Sequence, residues 1–395
     1  MVQKSFGIYV HVPYCLQRCT YCDFATYVHD QIMPPSDYFA LLSQEIQTRS
    51  QSIRSVVGTT LDTVYFGGGT PSLVPAELIT GVLEQLQRSG FELAPNCEMT
   101  LEINPATVDP HKMDVYQRAG INRFSVGAQT FNDVLLKSVH REHNSEQTRQ
   151  TLNLLKSRGV NYSFDVLFAL PGQTLEILES DLHEVLDFRP HHVSPYCLTV
   201  PEGHVLAARR PEEEIQIQMF DKIHSVLSSA GFDRYEISNY ARDGFESRHN
   251  NLYWRDFSYW GIGLSAHSYL ADLKMRFWNP NPITAYASQI NESRKAPLDL
   301  PETQIEVLGV HQSLTDFCHT SLRLKRGLVK EEVKGKFGFE ILSRLDAILT
   351  HLHTEGLVQS TSMNWSLTDK GVLLSNQVFG ALTFLKGELG PTTSP

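Results

Sequence analysis

The sequence predicts an α/β protein made of a partial, TIM-like (β/α)6 barrel, an irregular aromatic cap and a small winged-helix-like C-terminal domain. In the first part of the chain, short β-branched or aromatic runs alternate with longer segments of helical period. This alternation is the pattern of a parallel sheet built from βα units. We place the barrel at residues 1–232, the cap at 233–300 and the C-terminal domain at 301–395.

Six segments are predicted to be the parallel strands of the barrel. In chain order they are GIYVHV, TVYFGG, EMTLEIN, INRFSVGA, NYSFDVLF and HHVSPYCLT. The helices between them have recognisable ends: Asp109 with Pro110, and Pro75 with Glu77, are typical of helix starts. The glycines that we expect at helix ends, where a left-handed residue is needed, are Gly90, Gly120, Gly159 and Gly231.

The loops after the first three strands carry the unusual residues of the barrel. HVPYCLQRCTYCDF follows the first strand, GGGTPS the second and an Asn-Pro pair the third. Because the carboxyl ends of parallel barrel strands meet at one rim, we expect these loops to form a single site there.

The second half of the chain has a different sequence pattern. From Tyr235 a segment dense in aromatic residues, Gly and Asn shows no clean period, and we expect it to form an irregular cap over the barrel mouth. The Pro-rich stretches FWNPNPITAY and KAPLDLPE then indicate a boundary. After Pro301 the order is a helix, a basic LRLKRG stretch, a helix, a small β-wing around STSMN and a last helix.

The charge balance disfavours broad binding to nucleic acid or to anionic membrane. Lys plus Arg is 34 and Asp plus Glu is 44, so the net charge is −10. Winged helices often bind DNA, but residues 321–346 carry seven basic and four acidic residues, a local charge of only +3. The chain has no apolar run long enough to span a membrane and starts with neither a secretory nor a transit pattern. We therefore expect a soluble cytoplasmic protein in a reducing compartment.

Three of the six cysteines, Cys15, Cys19 and Cys22, lie within eight residues. Disulfides between such close neighbours would be strained, and clustered cysteines in a large chain without a secretory signal indicate metal binding. Structural zinc needs four ligands, so it would require Asp23 or His11 as the fourth. Three thiolates instead suit a [4Fe–4S] cluster with one open iron, which can bind the amino and carboxylate groups of S-adenosylmethionine (SAM). The spacing favours the cluster and leaves zinc as the alternative.

Further motifs follow the cysteine triplet in a fixed order. They are GGGTPS at 67–72, EINP at 102–105, GAQT at 127–130, LPGQT at 170–174, RHNNLYW at 248–254 and GIGLSAHS at 261–268. With them the chain resembles the radical SAM superfamily, and within it the branch that holds oxygen-independent coproporphyrinogen III oxidases and heme chaperones. The resemblance covers about the whole chain.

The resemblance implies a [4Fe–4S] cluster held by Cys15, Cys19 and Cys22. The residues it implies in contact with SAM on the cluster are Tyr9, Gly68 and Glu102. Those it implies around a second nucleotide-like molecule are Tyr21, Gly69, Thr70, Gln129, Arg141 and Asp165. Taken singly, three glycines more often make a tight turn. Polar side chains such as these are more often surface or packing residues.

Two features separate the two activities in this branch. The oxidases carry a further cysteine two positions after the last cluster cysteine, where this chain has Phe24. The motif from His249 to Trp254 matches the H-N-x-x-Y-W signature of the chaperones. Imidazole is a common axial ligand of heme iron, and the nearby Tyr259 and Trp260 suit an apolar porphyrin wall. The alternative is a buried aromatic core with His249 bonded to backbone.

The resemblance therefore implies a heme chaperone that binds heme and passes it to acceptor proteins. Membrane-protein acceptors and a homodimer are compatible with this prediction. The alternative is oxidative decarboxylation of coproporphyrinogen III by a 5′-deoxyadenosyl radical, so whether the chain is an enzyme stays open at this point.

The remaining cysteines have ordinary interpretations. Cys97 and Cys197 lie in predicted strands, where small buried thiols are common. Cys318 lies beside His319 without spaced partners, and such a pair is usually structural. The C-terminal helix departs from the family pattern, because several polar or small residues interrupt its apolar stripe. They are Asp316, Cys318, His319, Thr320 and Ser321.

Overall fold

The structure is a computed structural model that describes residues 5–292 and 300–389. Its first elements are β1 (Phe6–Val12), β2 (Tyr14–Cys15), β3 (Tyr27–Val28), α1 (Pro35–Val57), β4 (Thr60–Gly68), α2 (Ala76–Arg88), β5 (Glu92–Ile103), α3 (Pro110–Arg118), β6 (Arg123–Gln129), α4 (Asp133–Ser138), α5 (Ser145–Ser157), β7 (Asn161–Phe168), α6 (Leu175–Phe188), β8 (His192–Cys197) and α7 (Glu213–Ser229).

The next elements are β9 (Asp233–Glu236), β10 (Asn239–Ala241), α8 (Arg248–Trp254), β11 (Ser258–Ile262), β12 (His267–Leu270), β13 (Met275–Trp278), α9 (Ile283–Glu292) and β14 (Ile305–Val307). The last are α10 (Val310–Arg323), β15 (Leu328–Val329), α11 (Lys330–Phe337), α12 (Phe339–Thr354), β16 (Val358–Ser360), β17 (Asn364–Leu367), α13 (Asp369–Leu373) and α14 (Ser375–Ala381).

Strands β1, β4, β5, β6, β7 and β8 lie side by side and pair in parallel, which confirms the six predicted strands and the predicted fold class. Strand β11 extends the sheet in parallel beyond β1, and β12, β13 and β14 follow in antiparallel order. At the other edge β10 and β9 follow β8. The two edges, β14 and β9, do not pair within the described residues, so the barrel is open.

Side chains alternate between the two faces of each barrel strand. One face is apolar and packs on the helices, with Val10, Phe66 and Val126 all fully buried. The other face is polar on several strands. Its register pairs include Glu102 opposite Ser125, Asp165 opposite Ser194 and Thr100 opposite Arg123. A closed (β/α)8 barrel fills its interior with branched apolar residues. The polar interior here is instead suited to hold a ligand.

The predicted helix ends are confirmed where the sequence signals were specific. The Asp109 side chain accepts a hydrogen bond from the backbone N–H of Lys112 at 2.8 Å and caps α3. Pro75 is the N-cap residue of α2 and makes no side-chain cap bond. The four helix-ending glycines all have positive φ, at 86° for Gly90, 94° for Gly120, 62° for Gly159 and 81° for Gly231.

The aromatic segment after Tyr235 differs from expectation in its position. The backbone N–H groups of Arg248 and His249, at the start of α8, donate to the carboxylate of Glu98 at 3.1 and 3.0 Å. Arg248 also lies 3.9 Å from Asp62, near the start of β4. Helix α8 therefore packs at the amino ends of the strands, rather than over the mouth formed by their carboxyl ends. Of the predicted KAPLDLPE boundary, residues 295–299 lie outside the described residues.

The C-terminal part has the predicted winged-helix-like order. Helices α10, α11 and α12 precede a β16–β17 hairpin, to which β15 adds a third strand. In α10 the buried face holds Leu314, Phe317, Cys318, Ser321 and Leu322. Cys318 and Ser321 thus belong to the buried stripe and do not interrupt it, because both are small enough to pack within the core.

The basic residues of the C-terminal part form ion pairs inside the chain. Arg323 pairs with Glu236 at 3.1 Å, and Lys325 and Lys336 pair with Asp233 and Asp256. This charge therefore serves to attach the C-terminal part to the segment after β8. No helix among the described residues combines the length and the apolar character that a membrane crossing requires.

Candidate functional site

A cavity of about 490 Å³ lies within the barrel, and most of the predicted site residues line it. Those in its wall are Cys15, Cys19, Cys22, Tyr21, Gly68, Gly69, Thr70, Glu102, Gln129, Arg141 and Asp165. Tyr9 and His249 are the two predicted site residues that do not line it. The three loops that the sequence predicted to share a rim therefore meet at one cavity.

The cysteine loop is fastened at both ends by backbone hydrogen bonds. The N–H of Tyr27 donates to the carbonyl of Pro13, and that of His29 to the carbonyl of Cys15, both at 2.8 Å. On β1, before the loop, His11 bonds the carbonyl of Ala25 through Nε2 at 2.9 Å and the Tyr9 hydroxyl through Nδ1 at 3.1 Å. Because both of its ring nitrogens have partners, His11 is not available as a fourth zinc ligand.

The three thiols fit a cluster better than a single metal ion. Burial is the main cause that raises the pKa of Cys15 to about 11; the nearby Cys22 and Cys19 contribute to the rise, and a hydrogen bond from Thr70 opposes it. Three neighbouring thiolates therefore need a cationic group between them. Among the described residues, no three Cys, His, Asp or Glu side chains are arranged for one metal ion. A [4Fe–4S] cluster places its cysteine ligands on different irons, so this donor set suits it and leaves one iron open.

Glycine is required at position 69 for the loop to lie close to the thiols. A Cβ there would stand 2.6 Å from the carbonyl oxygen of Tyr14 and 3.0 Å from Cys15 Sγ. Real Cβ atoms do not approach backbone so closely, so any side chain would push the Cys15 strand away. The Gly-rich loop thus keeps backbone groups beside the cysteines.

Arg141 joins the cysteine loop to two barrel strands. Its Nη1 donates to Cys19 Sγ at 3.5 Å, and its Nη2 donates to Asn104 Oδ1 at 2.8 Å. The same Nη2 also contacts the carbonyl of Gly127, near the end of β6. A half-buried guanidinium therefore provides positive charge directly beside one predicted cluster ligand.

Glu102 and Gly68 form a second contact set on the cavity wall. Glu102 accepts from the Tyr65 hydroxyl at 2.7 Å and from the backbone N–H of Gly68 at 3.1 Å. Burial is the main cause that raises the pKa of Glu102 to about 7; the charge of Asp165 contributes to the rise, and the hydrogen bonds from Tyr65 and Gly68 oppose it. Tyr9 lies behind this set and stacks on Tyr65, with ring centroids 6.1 Å apart. Tyr9 is therefore placed to support Tyr65.

Gln129 has an unusual backbone conformation at the end of β6. Its φ is +71°, and the pairing of β6 with β7 is irregular between Val126 and Gln129. A left-handed glutamine stores strain, which is found mainly where a side chain must be aimed at a site. Asp165 lines the same cavity and accepts from Ser125 at 3.5 Å, and burial raises the pKa of Asp165 to about 6.

His249 is buried away from the cavity, with 1% of its surface exposed. Its Nδ1 bonds Thr63 Oγ1 at 2.7 Å, its Nε2 bonds the Tyr253 hydroxyl at 2.8 Å, and its ring stacks on Tyr65 at 5.1 Å. Burial lowers the pKa of His249 to about 3. The heme contact of His249 stays a prediction that this geometry does not support. The aromatic-core interpretation fits better, although the bonds go to side chains rather than to backbone.

One cysteine expectation is wrong. Cys197 is exposed at the end of β8 and lines the cavity, whereas Cys97 and Cys318 are buried as expected, at 4% and 0% exposure. The prediction failed because β8 ends at Cys197, so its side chain lies at the rim and outside the core.

Sequence reasoning also missed the inner part of the cavity wall, which we call the inner wall. It consists of Arg123, Ser125, His192, Ser194 and Asn250. A signal was present: in the predicted strands polar residues recur at every second position, which places them on one face. Polar alternation in strands of a parallel barrel predicts a lined cavity.

Comparison with known proteins gives consistent matches along the chain. Residues 9–185 match the family model described as Radical SAM superfamily. The heme chaperone HemW of Haemophilus influenzae is 37% identical over 377 residues, which cover 94% of this chain and 96% of that protein. The heme chaperone HemW of Lactococcus lactis is 33% identical over 391 residues, with 96% and 97% covered. That of Bacillus subtilis is 31% identical over 381 residues, with 94% and 98% covered.

Among solved structures, coproporphyrinogen III oxidase (HemN) from Escherichia coli, described as a radical SAM enzyme, has the same fold. The TM-score is 0.81 at 21% sequence identity, and the alignment covers 96% of this chain and 90% of that chain. At this identity the likeness concerns the fold alone.

Proposed function

Because the chain belongs to the HemW family of heme chaperones, within the radical SAM superfamily, we propose that it binds heme and transfers it to acceptor proteins. The observation that carries the proposal is the near-full-length similarity to several heme chaperones, at 31–37% identity. Because the similarity extends over more than nine-tenths of the chain, it includes the segment after β8 and the C-terminal part, beyond the barrel common to the superfamily.

Membership in the superfamily implies a [4Fe–4S] cluster and SAM. In the proposed arrangement Cys15, Cys19 and Cys22 hold the cluster, which when bound supplies an open iron for SAM and an electron. Gly68 and Glu102 lie where they can bond SAM, with Tyr9 behind them. The residues proposed around a second nucleotide-like molecule are Tyr21, Gly69, Thr70, Gln129, Arg141 and Asp165.

The coproporphyrinogen oxidase alternative is disfavoured by one residue at the cavity. Phe24 stands where the oxidases have a further cysteine, and its side chain is 65% exposed beside the cluster cysteines. An exposed phenylalanine at a cavity mouth suits contact with an apolar macrocycle. Phe24 therefore favours binding and delivery of heme over the decarboxylation chemistry.

The remaining parts of the proposal concern compartment and partners. We place the protein in the cytoplasm, where reduced thiols and iron–sulfur clusters persist. Its partners are heme and heme-accepting proteins, membrane proteins among them, and a second copy of the chain in a homodimer.

Anaerobic reconstitution of the cluster followed by heme titration tests the proposal. Heme binding should give a saturable Soret shift, both with and without SAM, while 5′-deoxyadenosine is measured in the same sample. Absence of a Soret shift, with and without reductant, would contradict heme binding. Anaerobic formation of protoporphyrinogen from coproporphyrinogen III, with reductant and SAM, would favour the oxidase instead.

A further inference from the structure

Arg123 is a buried cation in the inner wall of the cavity without a close partner. It begins β6, is 2% exposed and lines the cavity. Its Nε has no hydrogen-bond partner among residues 5–292 and 300–389, and its only ion pair is the 3.9 Å separation of Nε from Glu98 Oε2. A buried charge without close partners is costly, so its presence on a cavity wall points to an anionic ligand.

The two nearest acids are already engaged elsewhere. The carboxylate oxygens of Glu98 accept from the backbone N–H groups of Arg248 and His249, which fixes that carboxylate on α8. Asp165 accepts from the Ser125 hydroxyl at 3.5 Å, and it acts on Arg123 through its field without forming an ion-pair contact among the described residues. Neither carboxylate therefore forms a close ion pair with Arg123.

The rest of the inner wall supplies neutral hydrogen-bonding groups. Asn250 lines the cavity, and its backbone N–H donates to Ser247 Oγ at 3.3 Å. His192 bonds the Tyr235 hydroxyl at 2.9 Å, and burial holds the pKa of His192 well below its usual value, so it adds no charge. Among the five residues of the inner wall, Arg123 is therefore the cation, and the wall also contains the Asn250 amide and the hydroxyls of Ser125 and Ser194.

We propose that the inner wall is a carboxylate subsite in which Arg123 is the anchor and Asn250 a second donor. The guanidinium presents parallel N–H groups that match the two oxygens of a carboxylate, which a lysine cannot do. This inference rests on the proposed function, because that function identifies the ligands that carry a carboxylate. The carboxylate bound at the subsite is either a propionate of heme or the carboxylate group of a SAM molecule. Heme and SAM both present a carboxylate to the subsite, and the experiment below distinguishes between them.

The experiment compares heme with heme dimethyl ester, in which both propionates are uncharged. Affinities are measured by Soret titration of the reconstituted full chain in one detergent-containing buffer. Wild type should bind heme roughly tenfold more tightly than the diester, as expected for one charge-assisted contact. Arg123→Gln should remove this preference and Arg123→Lys should keep part of it. Arg118→Gln, at an exposed arginine on α3, is the matched control and should leave the preference unchanged.

Asn250→Ala provides a second variant that leaves the barrel strands intact. It should reduce the preference for free heme several-fold while thermal unfolding by circular dichroism stays that of wild type. SAM affinity is measured by calorimetry on the same set of variants. A loss confined to SAM assigns the subsite to an amino-acid carboxylate, and a loss confined to heme assigns it to a propionate.

Other outcomes overturn the inference. If wild type binds heme and its diester equally, and SAM binding is unaffected by Arg123→Gln, there is no carboxylate subsite even though heme binding stands. If Arg123→Gln weakens heme and diester to the same degree, Arg123 is structural. If wild type binds neither heme nor its diester, the proposed function fails. In that case the SAM affinities of wild type and Arg123→Gln alone show whether the carboxylate subsite exists.

Discussion

Arg141 Nη1 lies 3.5 Å from Cys19 Sγ, although 122 positions separate the two residues in the chain. The guanidinium also bonds Asn104, which follows β5, and the carbonyl of Gly127 on β6. One side chain thereby connects the cysteine loop to two neighbouring strands. The Arg141 side chain therefore helps to set the distance between the cysteine loop and the polar wall of the barrel.

Replacing Arg141 should uncouple the cysteine loop from the barrel. We expect Arg141→Met to weaken SAM binding more than tenfold and to lower the free energy of unfolding by about 1–3 kcal/mol, since the half-buried polar partners of the guanidinium are left unpaired. Calorimetry with SAM and denaturant unfolding measure the two effects. Arg88→Met, at an arginine whose side chain is 71% exposed, is the control and should change neither. Unchanged SAM affinity in Arg141→Met would show that the contact with Cys19 is incidental.

Replacing the three clustered cysteines by serine should remove the cluster. Cys15→Ser, Cys19→Ser and Cys22→Ser together should abolish the brown colour and the iron content of anaerobically purified protein, because three thiolate ligands are lost. Cys197→Ser changes another thiol of the same cavity and should retain full iron. Iron retained in the triple variant would show that the ligands lie elsewhere.

Glu102 should make the stability of the protein depend on pH. Burial raises its pKa to about 7 in the folded protein, so the folded state holds a proton that the unfolded chain has already released. Its contribution to stability is complete below the unfolded value, near 4.5, and is lost as the pH rises to about 7. Between about pH 5 and 8, wild type should lose on the order of 1–3 kcal/mol relative to Glu102→Gln.

Denaturant unfolding of wild type and Glu102→Gln across this pH range, without added SAM, measures the effect. The charges of Glu102 and Asp165 are coupled, so the difference between the two proteins reports the titration of Glu102 together with that coupling. Parallel pH profiles for the two proteins would contradict the buried, proton-holding state of Glu102.

His249→Phe separates a structural role from a ligand role. Because both ring nitrogens of His249 are bonded, to Thr63 and Tyr253, the substitution leaves one buried and one half-buried hydroxyl unpaired. We expect a loss of about 1–3 kcal/mol in unfolding free energy, with heme affinity and Soret position unchanged. His351→Phe, at an exposed histidine, is the control. A heme affinity more than tenfold lower in His249→Phe would restore His249 as a heme contact.

The sequence predicts the barrel well because its signals are local. The Asp109 cap and the glycines that follow the helix C-caps depend on neighbours within one helical turn, and the six core strands are long enough to show their period. Strands β12, β13 and β14 have only three or four residues each, too few for a pattern, so the extension of the sheet was missed.

The parts of the site that were misjudged depend on distant contacts. Helix α8 lies at the amino ends of the strands because Glu98, about 150 positions earlier in the chain, caps its first N–H groups. That same contact buries His249 under Tyr65 and leaves Arg123 with a long ion pair. No local sequence pattern predicts that both carboxylate oxygens of Glu98 accept hydrogen bonds from the distant helix α8.

Transfer of heme to an acceptor tests the central claim most directly. The reconstituted, heme-loaded protein is mixed anaerobically with an excess of a heme-free globin, and the globin spectrum is followed with and without SAM and reductant. A heme chaperone should convert the globin to its heme-bound form faster than free heme captured by an equal amount of serum albumin does. Transfer no faster than from albumin, or absence of stable heme loading, would contradict the account.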